Sequence, residues 1–507
     1  MNTPLPELDV SRSCLFRITE PERKKLENLL FQRHPRREWG TFFRFGYRRT
    51  PWGLAVSYVD SLPPLLGDLD RQSGIVSFRP QYISRATREL ENTSLGLGFM
   101  HSHPLGWGVS PSPSDNDMDG YYADLFGPFG DGRPYCSLIL NRSSDGALVF
   151  SGRAFDLGKW FPVTEFITPT LPYLRLWNRE LEKLPVPSLA TAAEIGESVT
   201  ARLELLYGSR ATERLRASRV AVIGCSGTGS PAIECLARAQ VGEFVLVDYQ
   251  PFGPSNLERM HGSRFAHTRQ QPLPFKVALM AQMIWEINPN ARIQAWVGNI
   301  LDREVTDELL HCDLLLGCTD THHGRAALGD LATRFLVPSI DVGVLAEGKN
   351  GKITAELVDV TRYSPELPCP FCSGCVCTWP LTVECMPEEE KRKRYEAAAD
   401  AARRGEDASL YWSVGLPQLP TVGHLTTNAG SLIAGYAIKW LAGVADVPHS
   451  RFQFDLCSPE FGFKVVHRKR FSGCACGRAV GHGDQADASI TRPNHWPPPS
   501  RLPASSP

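Results

Sequence analysis

The sequence predicts an α/β protein in which a mixed α/β domain precedes a domain with a parallel sheet. Residues 15–160 alternate short apolar runs with Gly/Pro turns, a pattern typical of short strands with a few helices. From Arg219 onward, the apolar runs RVAVIG, FVLVD and DLLLG alternate with helical stretches. This strand–helix–strand repetition is typical of a parallel sheet.

The length of 507 residues allows two or three domains. We expect a first domain over residues 12–160, a Pro-rich connector over 161–198, a second domain over 199–478 and a disordered tail over 479–507. The net charge of −1 argues against a general nucleic-acid binder. No apolar run is long enough to span a membrane, and the N-terminus has no signal-peptide pattern, so we expect a cytoplasmic protein.

The motif FMHSHP ends a predicted strand, and it places two histidines where they can share one metal ion. His101 and His103 point to the same face, because side chains at i and i+2 of a strand do so. The segment SPSPSDNDMDGYY that follows predicts a helix with an acid in its first turn. Two histidines and one carboxylate leave a fourth zinc position open, as in catalytic sites. The alternative is two unrelated surface histidines and a capped helix.

With HxHP followed by PSxxD, residues 15–160 resemble the JAMM/MPN (JAB) metalloproteases, zinc isopeptidases that cut ubiquitin-like tails. The resemblance implies that His101 and His103 are zinc ligands. It also implies a catalytic glutamate that opens an upstream strand, and Glu38 in PRREWGTFFRFG fits as the general base.

The acidic ligand has two readings, because two SxxD patterns overlap. Asp117 is preferred, since Met118 and Tyr121 then supply the apolar pair that the helix of this family buries. Ser114 would then provide the oxyanion-stabilising hydroxyl. Asp115 is the runner-up ligand.

In the second half, RVAVIGCSGTGSPA predicts a strand, a Gly-rich turn and the start of a helix. Such a turn lets backbone N–H groups approach phosphates. The stretch from Gly227 to Ala232 also fits GxGxxA, and Asp248 ends the next strand, so at this point an NAD-dependent enzyme is an open alternative.

The segments that follow, PFGPSNLERM, FKVALMAQMIWEINPNARI and LLLGCTDTHHGR, resemble the ThiF/MoeB and ubiquitin-activating-enzyme family. This family adenylates the C-terminal glycine of a ubiquitin-like protein with ATP and Mg²⁺ on a Rossmann-like parallel sheet. The resemblance implies that Gly224, Gly227 and Gly229 form the phosphate loop and that Asp248 contacts the ribose. It also implies that Asn256, Arg259 and Lys276 contact the phosphates and that Asp320 is the Mg²⁺ ligand.

Three residues depart from the family pattern. Ser226 replaces a glycine of the loop, Gln250 replaces the second Asp of D-x-D, and Met260 replaces a Gln. The family also has an arginine that enters the partner subunit's site. Arg202 in TARLELLYGSR fits this pattern, which implies a homodimer.

Eight of the 14 cysteines lie after residue 368. Cys369 and Cys372 form a CxxC pair, and Cys474 and Cys476 follow about a hundred residues later as CxC. Four thiolates can hold a structural zinc ion, and many relatives carry two such pairs. Cys375 could replace a missing ligand, and the alternative is a set of free thiols.

Family members that pass the activated tail on use a cysteine after the first CxxC pair. Cys385 in TVECMPEEEKRKRY is the candidate thioester nucleophile, and the nearby KRKR run is expected to lower its pKa. Cys375 and Cys377 are competing candidates.

Together the resemblances predict a bifunctional enzyme of a bacterial-type ubiquitin-like modification system, with a link to antiphage defence. One domain would adenylate a ubiquitin-like tail and pass it as a thioester to a conjugating-enzyme-like protein. The other would cut after that tail, and no nucleic acid or membrane would take part. Two alternatives stay open: activation and processing of a sulfur-carrier protein for cofactor or cysteine biosynthesis, and a non-catalytic binding scaffold.

Overall fold

The computed structural model describes residues 8–72, 76–129, 132–169, 173–181, 199–407, 421–447, 449–458 and 462–503. The chain forms two compact units, each built on its own sheet. The first unit comprises Met1–Ser198, Thr333–Leu336 and Ala475–Asp487, and the second comprises Val199–Ala332, Val337–Cys474 and Ala488–Pro507.

The strands of the first unit are β1 (Ser13–Arg17), β2 (Trp39–Thr50), β3 (Gly53–Leu62), β4 (Leu69–Gln72), β5 (Val76–Phe78), β6 (Gly96–Ser102), β7 (Tyr135–Arg142), β8 (Leu148–Asp156), β9 (Lys159–Thr168) and β10 (Leu174–Trp177). Its helices are α1 (Glu20–Leu30), α2 (Pro80–Arg88) and α3 (Pro113–Phe129). Eight strands form one sheet in the order β1-β3-β2-β6-β7-β8-β9-β10, and β1 also pairs with β9, so the sheet closes on itself.

Neighbouring residues of a strand point to opposite faces of a sheet, and in this unit helices pack on both faces. Phe43 belongs to a buried cluster with Leu26 and Leu30 of α1. Phe42, the preceding residue of β2, packs in a second cluster with Tyr122 of α3. Strand β6 is buried along its whole length, which places its last residues inside the unit.

The strands of the second unit are β11 (Arg219–Ile223), β12 (Glu243–Val247), β13 (Arg292–Val297), β14 (Leu314–Gly317), β15 (Ser339–Lys349), β16 (Lys352–Tyr363), β17 (Arg451–Asp455), β18 (Phe463–Val465) and β19 (Ser500–Arg501). Its helices are α4 (Ala201–Tyr207), α5 (Ser209–Ala217), α6 (Gly229–Arg238), α7 (Lys276–Ile287), α8 (Arg303–Leu309), α9 (His322–Arg334), α10 (Thr378–Cys385), α11 (Glu388–Arg403) and α12 (Gly423–Ala442).

The second sheet has the order β18-β17-β16-β15-β14-β11-β12-β13-β19, and β11 to β15 run parallel. The predicted fold class, mixed α/β with a Rossmann-type parallel sheet in the second half, is therefore confirmed. After β11 the chain continues to β12 on one side, and it later returns to β14 on the other. This change of direction forms a crevice at the carboxyl end of β11, where sheets of this kind bind ligands.

Two predicted boundaries are wrong. Strands β9 and β10 occupy residues 161–168 and 174–177 of the predicted connector 161–198, and Phe161 and Val163 on either side of Pro162 are buried in the first sheet. The prolines alone had favoured a connector. Residues 182–198 of that segment lie outside the described residues.

The predicted disorder of residues 479–507 is also wrong as far as position 503. In the first unit, Asp484 accepts hydrogen bonds from Arg48 Nε and Nη2 at 3.0 and 2.7 Å. In the second unit, β19 pairs with β13. The segment is held by ion pairs and backbone pairing, which its low apolar content does not reveal. Residues 504–507 lie outside the described part. Among the described residues, no helix combines the length and apolarity needed to span a membrane.

Candidate functional site

The Gly-rich turn of the second unit lies at the carboxyl end of β11. Gly224 has a φ of +92°, which side-chain-bearing residues rarely adopt. A Cβ atom on Gly229, the first residue of α6, would lie 1.9 Å from the carbonyl oxygen of Gly224. Glycine is therefore required at both positions. The turn leads directly into the N-terminus of α6, where backbone N–H groups can bind phosphate.

Asp248 follows β12 directly and holds the Gly-rich turn in place. Its two carboxylate oxygens accept hydrogen bonds from the backbone N–H groups of Cys225 and Gln250, each at 2.9 Å. Burial raises the pKa of Asp248, and the positive charge of Lys276 opposes this. The structure thus places Asp248 beside the turn, and its contact with a ribose stays a prediction.

Lys276 begins α7, and its side chain is buried. Its Nζ donates a hydrogen bond of 2.6 Å to Oε1 of Gln250. Gln250, one of the departures from the family pattern, therefore orients the predicted phosphate-contacting lysine.

Arg259 and Asn256 lie in the loop after β12, near the Gly-rich turn. A Cβ atom on Gly227 would lie 3.0 Å from Cδ of Arg259, and Nη1 of Arg259 donates to the carbonyl oxygen of Thr421 at 3.2 Å. Asn256 is buried, and its Oδ1 accepts the backbone N–H of Gly253 at 2.9 Å. Asn256 shapes the loop that carries Arg259.

Asp320 is exposed in the loop between β14 and α9. This loop passes close to the Gly-rich turn, since a Cβ atom on Gly224 would lie 2.4 Å from the carbonyl oxygen of Cys318. Burial is the main cause of the raised pKa of Asp248, and the negative charge of Asp320 makes a smaller contribution in the same direction. The side chains of Lys276 and Asp320 thus lie close enough to Asp248 for their charges to act on its carboxyl group.

Glu384, a residue that the sequence did not reveal, links α10 to the start of α9 through hydrogen bonds. Its carboxylate accepts the backbone N–H groups of His322 and His323 at 2.8 and 2.9 Å, and Nδ1 of His323 at 2.9 Å. At the other end of α10, the N–H of Cys377 donates to Nδ1 of His322 at 3.2 Å. No local pattern marks Glu384, because its partners are 61 and 62 positions away.

Cys385, the predicted nucleophile, is the last residue of α10 and is partly exposed. The expected lowering of its pKa is wrong: burial and the charge of Glu384 raise the pKa of Cys385, and only Lys391 opposes them. The reason lies in α11, where each basic residue of the KRKR run is close to an acid on the same helix. These ion pairs are Lys391–Glu388, Arg392–Glu396, Lys393–Glu389 and Arg394–Glu390.

Arg202 is exposed on α4, together with Leu205 and Leu206. The structure describes a single chain, so the predicted insertion of Arg202 into a partner's site stays a prediction.

The thiols of Cys369, Cys372, Cys474 and Cys476 come together, with all four sulfur atoms within 4.8 Å of one another. The sulfur atoms of Cys369 and Cys474 are 3.8 Å apart. Tetrahedral zinc with Zn–S bonds of about 2.3 Å requires sulfur–sulfur distances of about 3.8 Å. The set therefore fits a zinc ion, and Cys375 is not needed to complete it.

In the first unit, His101 and His103 at the end of β6 face the start of α3. Their Nε2 atoms lie 3.2 Å apart, and they are 3.3 and 3.5 Å from the carboxylate oxygens of Asp115. Tetrahedral zinc with bonds of about 2.0–2.1 Å requires ligand separations of about 3.3 Å. All three residues are buried. These donors fit a zinc ion.

The preference for Asp117 and Ser114 is corrected by this geometry, because Asp115 is the acid that meets the histidines. Helix α3 begins at Pro113, so Asp115 lies in its first turn, while Asp117 and Ser114 are exposed. Ser112 takes the position expected for Ser114. Its N–H donates to Asp115 Oδ2 at 2.7 Å, and its Oγ accepts the N–H of Asp115 at 3.2 Å.

Glu38 immediately precedes β2 and is buried. Strands β2 and β6 are antiparallel, with Trp39 opposite Ser102. Continuing this register places Glu38 opposite His103. Burial alone would lower the pKa of His101, but Asp115, and to a lesser degree Glu38, raise it. The structure therefore brings Glu38 to the same site as the histidines.

A model of the family described as "ThiF family" matches residues 200–476, which is 277 of the 507 residues. The phosphate-loop geometry and the parallel sheet lie within this range. The chain belongs to the ThiF family.

Individual relatives match shorter segments. A molybdopterin-synthase adenylyltransferase from Haemophilus influenzae is 28% identical over 157 residues, 31% of this chain and 60% of that protein. An adenylyltransferase and sulfurtransferase uba4 from Emericella nidulans is 30% identical over 139 residues, 27% of this chain and 28% of that protein. A ubiquitin-like modifier-activating enzyme 5 from Aedes aegypti is 28% identical over 153 residues, 28% of this chain and 37% of that protein. The chain thus spans between about a quarter and three fifths of these relatives.

Among solved structures, E. coli MccB with ATP is similar at a TM-score of 0.40 and 19% identity, over 56% of this chain and 76% of that chain.

Proposed function

We propose that the second unit adenylates the C-terminal carboxylate of a ubiquitin-like or sulfur-carrier protein, with ATP·Mg²⁺ as co-substrate. The observation that carries this is the convergence of the glycine turn, Lys276, Arg259 and Asp320 on one crevice. Hydride transfer breaks no bond at phosphorus, whereas adenylation develops negative charge there that Lys276 and Arg259 can stabilise. The names of the relatives, adenylyltransferases and a ubiquitin-like modifier-activating enzyme, support the same reaction.

In this reaction a tail carboxylate oxygen attacks the α-phosphorus of ATP. A bond forms between that oxygen and phosphorus, the bond to the β-phosphate bridging oxygen breaks, and pyrophosphate leaves. Negative charge builds on the transferred group, and fixed positive charge nearby stabilises it. Lys276, oriented by Gln250, and Arg259 supply that charge, and Asp320 is the Mg²⁺ ligand in this proposal.

Equilibrium binding separates this proposal from the NAD alternative. We expect the full chain to bind ATP·Mg²⁺ and not NAD⁺ in isothermal titration calorimetry, and Arg259→Ala to weaken ATP·Mg²⁺ binding. Glu304→Ala, which changes an exposed residue of α8, is the matched control. Tight NAD⁺ binding, or ATP binding that is unchanged in Arg259→Ala, would overturn the assignment.

We further propose that the first unit is a zinc-dependent hydrolase that cuts peptide or isopeptide bonds after the same kind of tail. The observation that carries this is the tetrahedral spacing of His101, His103 and Asp115 next to buried Glu38. Zinc at such a site supplies Lewis-acid polarisation of a carbonyl group. In the hydrolysis, the oxygen of a water molecule bonds to the carbonyl carbon and the carbon–nitrogen bond breaks. Glu38 is placed to take a proton from that water and deliver it to the leaving amine. Ser112 holds Asp115 in position through the reciprocal hydrogen bonds described above.

Glu38→Gln tests this second proposal, with Glu91→Gln as the control, because Glu91 is an exposed acid of the same unit. The substrate is a linear fusion of a ubiquitin-like protein, ending in Gly-Gly, to a reporter. Cleavage should disappear in Glu38→Gln and on chelation, and it should persist in Glu91→Gln. Cleavage that survives in Glu38→Gln would contradict the proposal.

A further inference from the structure

Residues 488–503, named here the C-terminal strap, return to the second unit after the residues that the family model matches. Strand β19 pairs antiparallel with β13, with Arg501 opposite Trp296 and Ser500 opposite Val297. The N–H of Leu502 donates to the carbonyl oxygen of Ala295 at 2.9 Å. The strap thus adds a strand to the edge of the parallel sheet.

An ion pair anchors the strap beside the loop that follows β13. Nε of Arg492 donates to Oδ1 of Asp302, whose side chain is 2% exposed. Oδ2 of the same carboxylate accepts the N–H of Asn299 at 2.6 Å. Nη2 of Arg492 also donates to the carbonyl oxygen of Trp496 at 2.8 Å. Arg492 therefore fixes both Trp496 and, through Asp302, the Asn299 loop.

Trp496 and Asn299 meet at one residue, His323. The indole packs edge-on against the imidazole, with ring centroids 5.0 Å apart and an interplanar angle of 62°. Nδ2 of Asn299 lies 3.0 Å from Nε2 of His323. The strap reaches His323 directly through Trp496 and indirectly through Arg492, Asp302 and Asn299.

His323 is the second residue of α9 and lies three positions after Asp320. Its N–H and its Nδ1 both bond to Oε2 of Glu384 at 2.9 Å. Because Nδ1 donates to this carboxylate, Nε2 accepts from Asn299. The imidazole is therefore held on three sides, and its backbone continues into the loop that carries Asp320.

We propose that the C-terminal strap is a working part of the adenylation site, in which Trp496 is a positioning residue that acts through His323 on the loop of Asp320. This inference rests on the function proposed for the second unit. The strap lies outside the residues that the family model matches. In this proposal it holds the loop of Asp320 in the conformation that binds ATP·Mg²⁺.

The test uses the full chain and ATP·Mg²⁺ alone as the probe. Dissociation constants are measured by isothermal titration calorimetry for wild type, Trp496→Ala, Trp496→Phe and the control Asn494→Ala, which changes an exposed strap residue. Amide hydrogen exchange is followed in the peptide that covers residues 318–324. We expect Trp496→Ala to weaken binding about fivefold, the weight of one aromatic contact, and to speed exchange in this peptide. Trp496→Phe keeps a ring and should restore both.

The measurements distinguish a failure of the strap proposal from a failure of the proposed adenylation function. Trp496→Ala with wild-type affinity and wild-type exchange would overturn the role of the strap while leaving the proposed function intact. Failure of the wild-type chain to bind ATP·Mg²⁺ would overturn the proposed function itself. If Trp496→Ala does not fold, Trp496→Leu, which fills the space without a ring, is judged by the same two measurements. Weakened binding in Asn494→Ala equal to that in Trp496→Ala would also contradict a specific role for Trp496.

Discussion

Glu384 accepts two hydrogen bonds from His323, one from its backbone N–H and one from Nδ1, each at 2.9 Å. These bonds tie the helix that ends in Cys385 to the helix that follows Asp320. None of the eight residues of α10, all of them described, is buried. Polar contacts at the two ends of α10 therefore tie it to the start of α9, while its Val383 packs against Met386 and Ala398.

The Glu384→Gln variant should show a pH-dependent loss of stability. Burial alone would raise the pKa of Glu384, but hydrogen bonds from His323 and from the backbone outweigh it, so the pKa lies below its ordinary value. The ionised carboxylate therefore stabilises the fold above the ordinary pKa, and this stabilisation is lost as the pH falls through the lowered one. We expect the variant to be about 1–2 kcal/mol less stable than wild type at pH 7 and the difference to shrink below about pH 4.

Denaturant unfolding at pH 7 and pH 3, below the ordinary pKa of the carboxyl group, measures this difference. Glu388→Gln is the control, because Glu388 is an exposed acid at the start of α11. The ionisable groups that face Glu384 are His322, His323, Cys385 and Tyr249. A stability difference that is the same at both pH values would contradict the role of the ionised carboxylate.

Cys385 should react slowly with iodoacetamide at neutral pH, because the thiolate is the reactive form and burial and Glu384 raise the pKa of this thiol. The exposed Cys377 at the other end of α10 is the internal comparison. Mass spectrometry of the labelled peptides at pH 7.5 gives both rates. We expect Cys385 to lag behind Cys377 and Glu384→Gln to speed its labelling. Faster labelling of Cys385 than of Cys377 in wild type would contradict this account.

The chain should hold two zinc ions, one at each of the two ligand sets. His101→Ala should remove one equivalent and Cys372→Ser the other, because each takes away one of the ligands that define the tetrahedral spacing. Elemental analysis of the purified variants measures the zinc content. His467→Ala, which changes an exposed histidine, should keep both ions. Full zinc content in His101→Ala would remove the basis for the hydrolase proposal.

Much of the fold could be predicted from the sequence, because its signals are local. The apolar run RVAVIG and the glycines behind it predict β11, the turn and α6 without reference to the rest of the chain. The HxH spacing likewise predicts that two imidazoles share one face of β6. The location of Glu38 could be predicted in the same way, because this residue directly precedes β2.

The residues that could not be predicted are those whose roles depend on distant partners. Glu384 bonds to a helix 61 positions away, and Trp496 reaches His323 from a segment whose composition suggested disorder. The choice between Asp115 and Asp117 depends on where α3 begins, and helix ends are set by capping contacts that one sequence does not resolve. Charge runs mislead for a similar reason: acids on either side of the KRKR run form ion pairs with its basic side chains.

Exchange of labelled pyrophosphate into ATP is the most direct measure of adenylation by the second unit. The full chain is assayed with Mg²⁺ and small ubiquitin-like proteins that end in Gly-Gly, and wild type is compared with Asp320→Ala and the control Glu304→Ala. We expect exchange that requires both the tail and Mg²⁺, falls by at least about a hundredfold in Asp320→Ala and is retained in Glu304→Ala. Exchange that continues unchanged in Asp320→Ala would contradict this expectation.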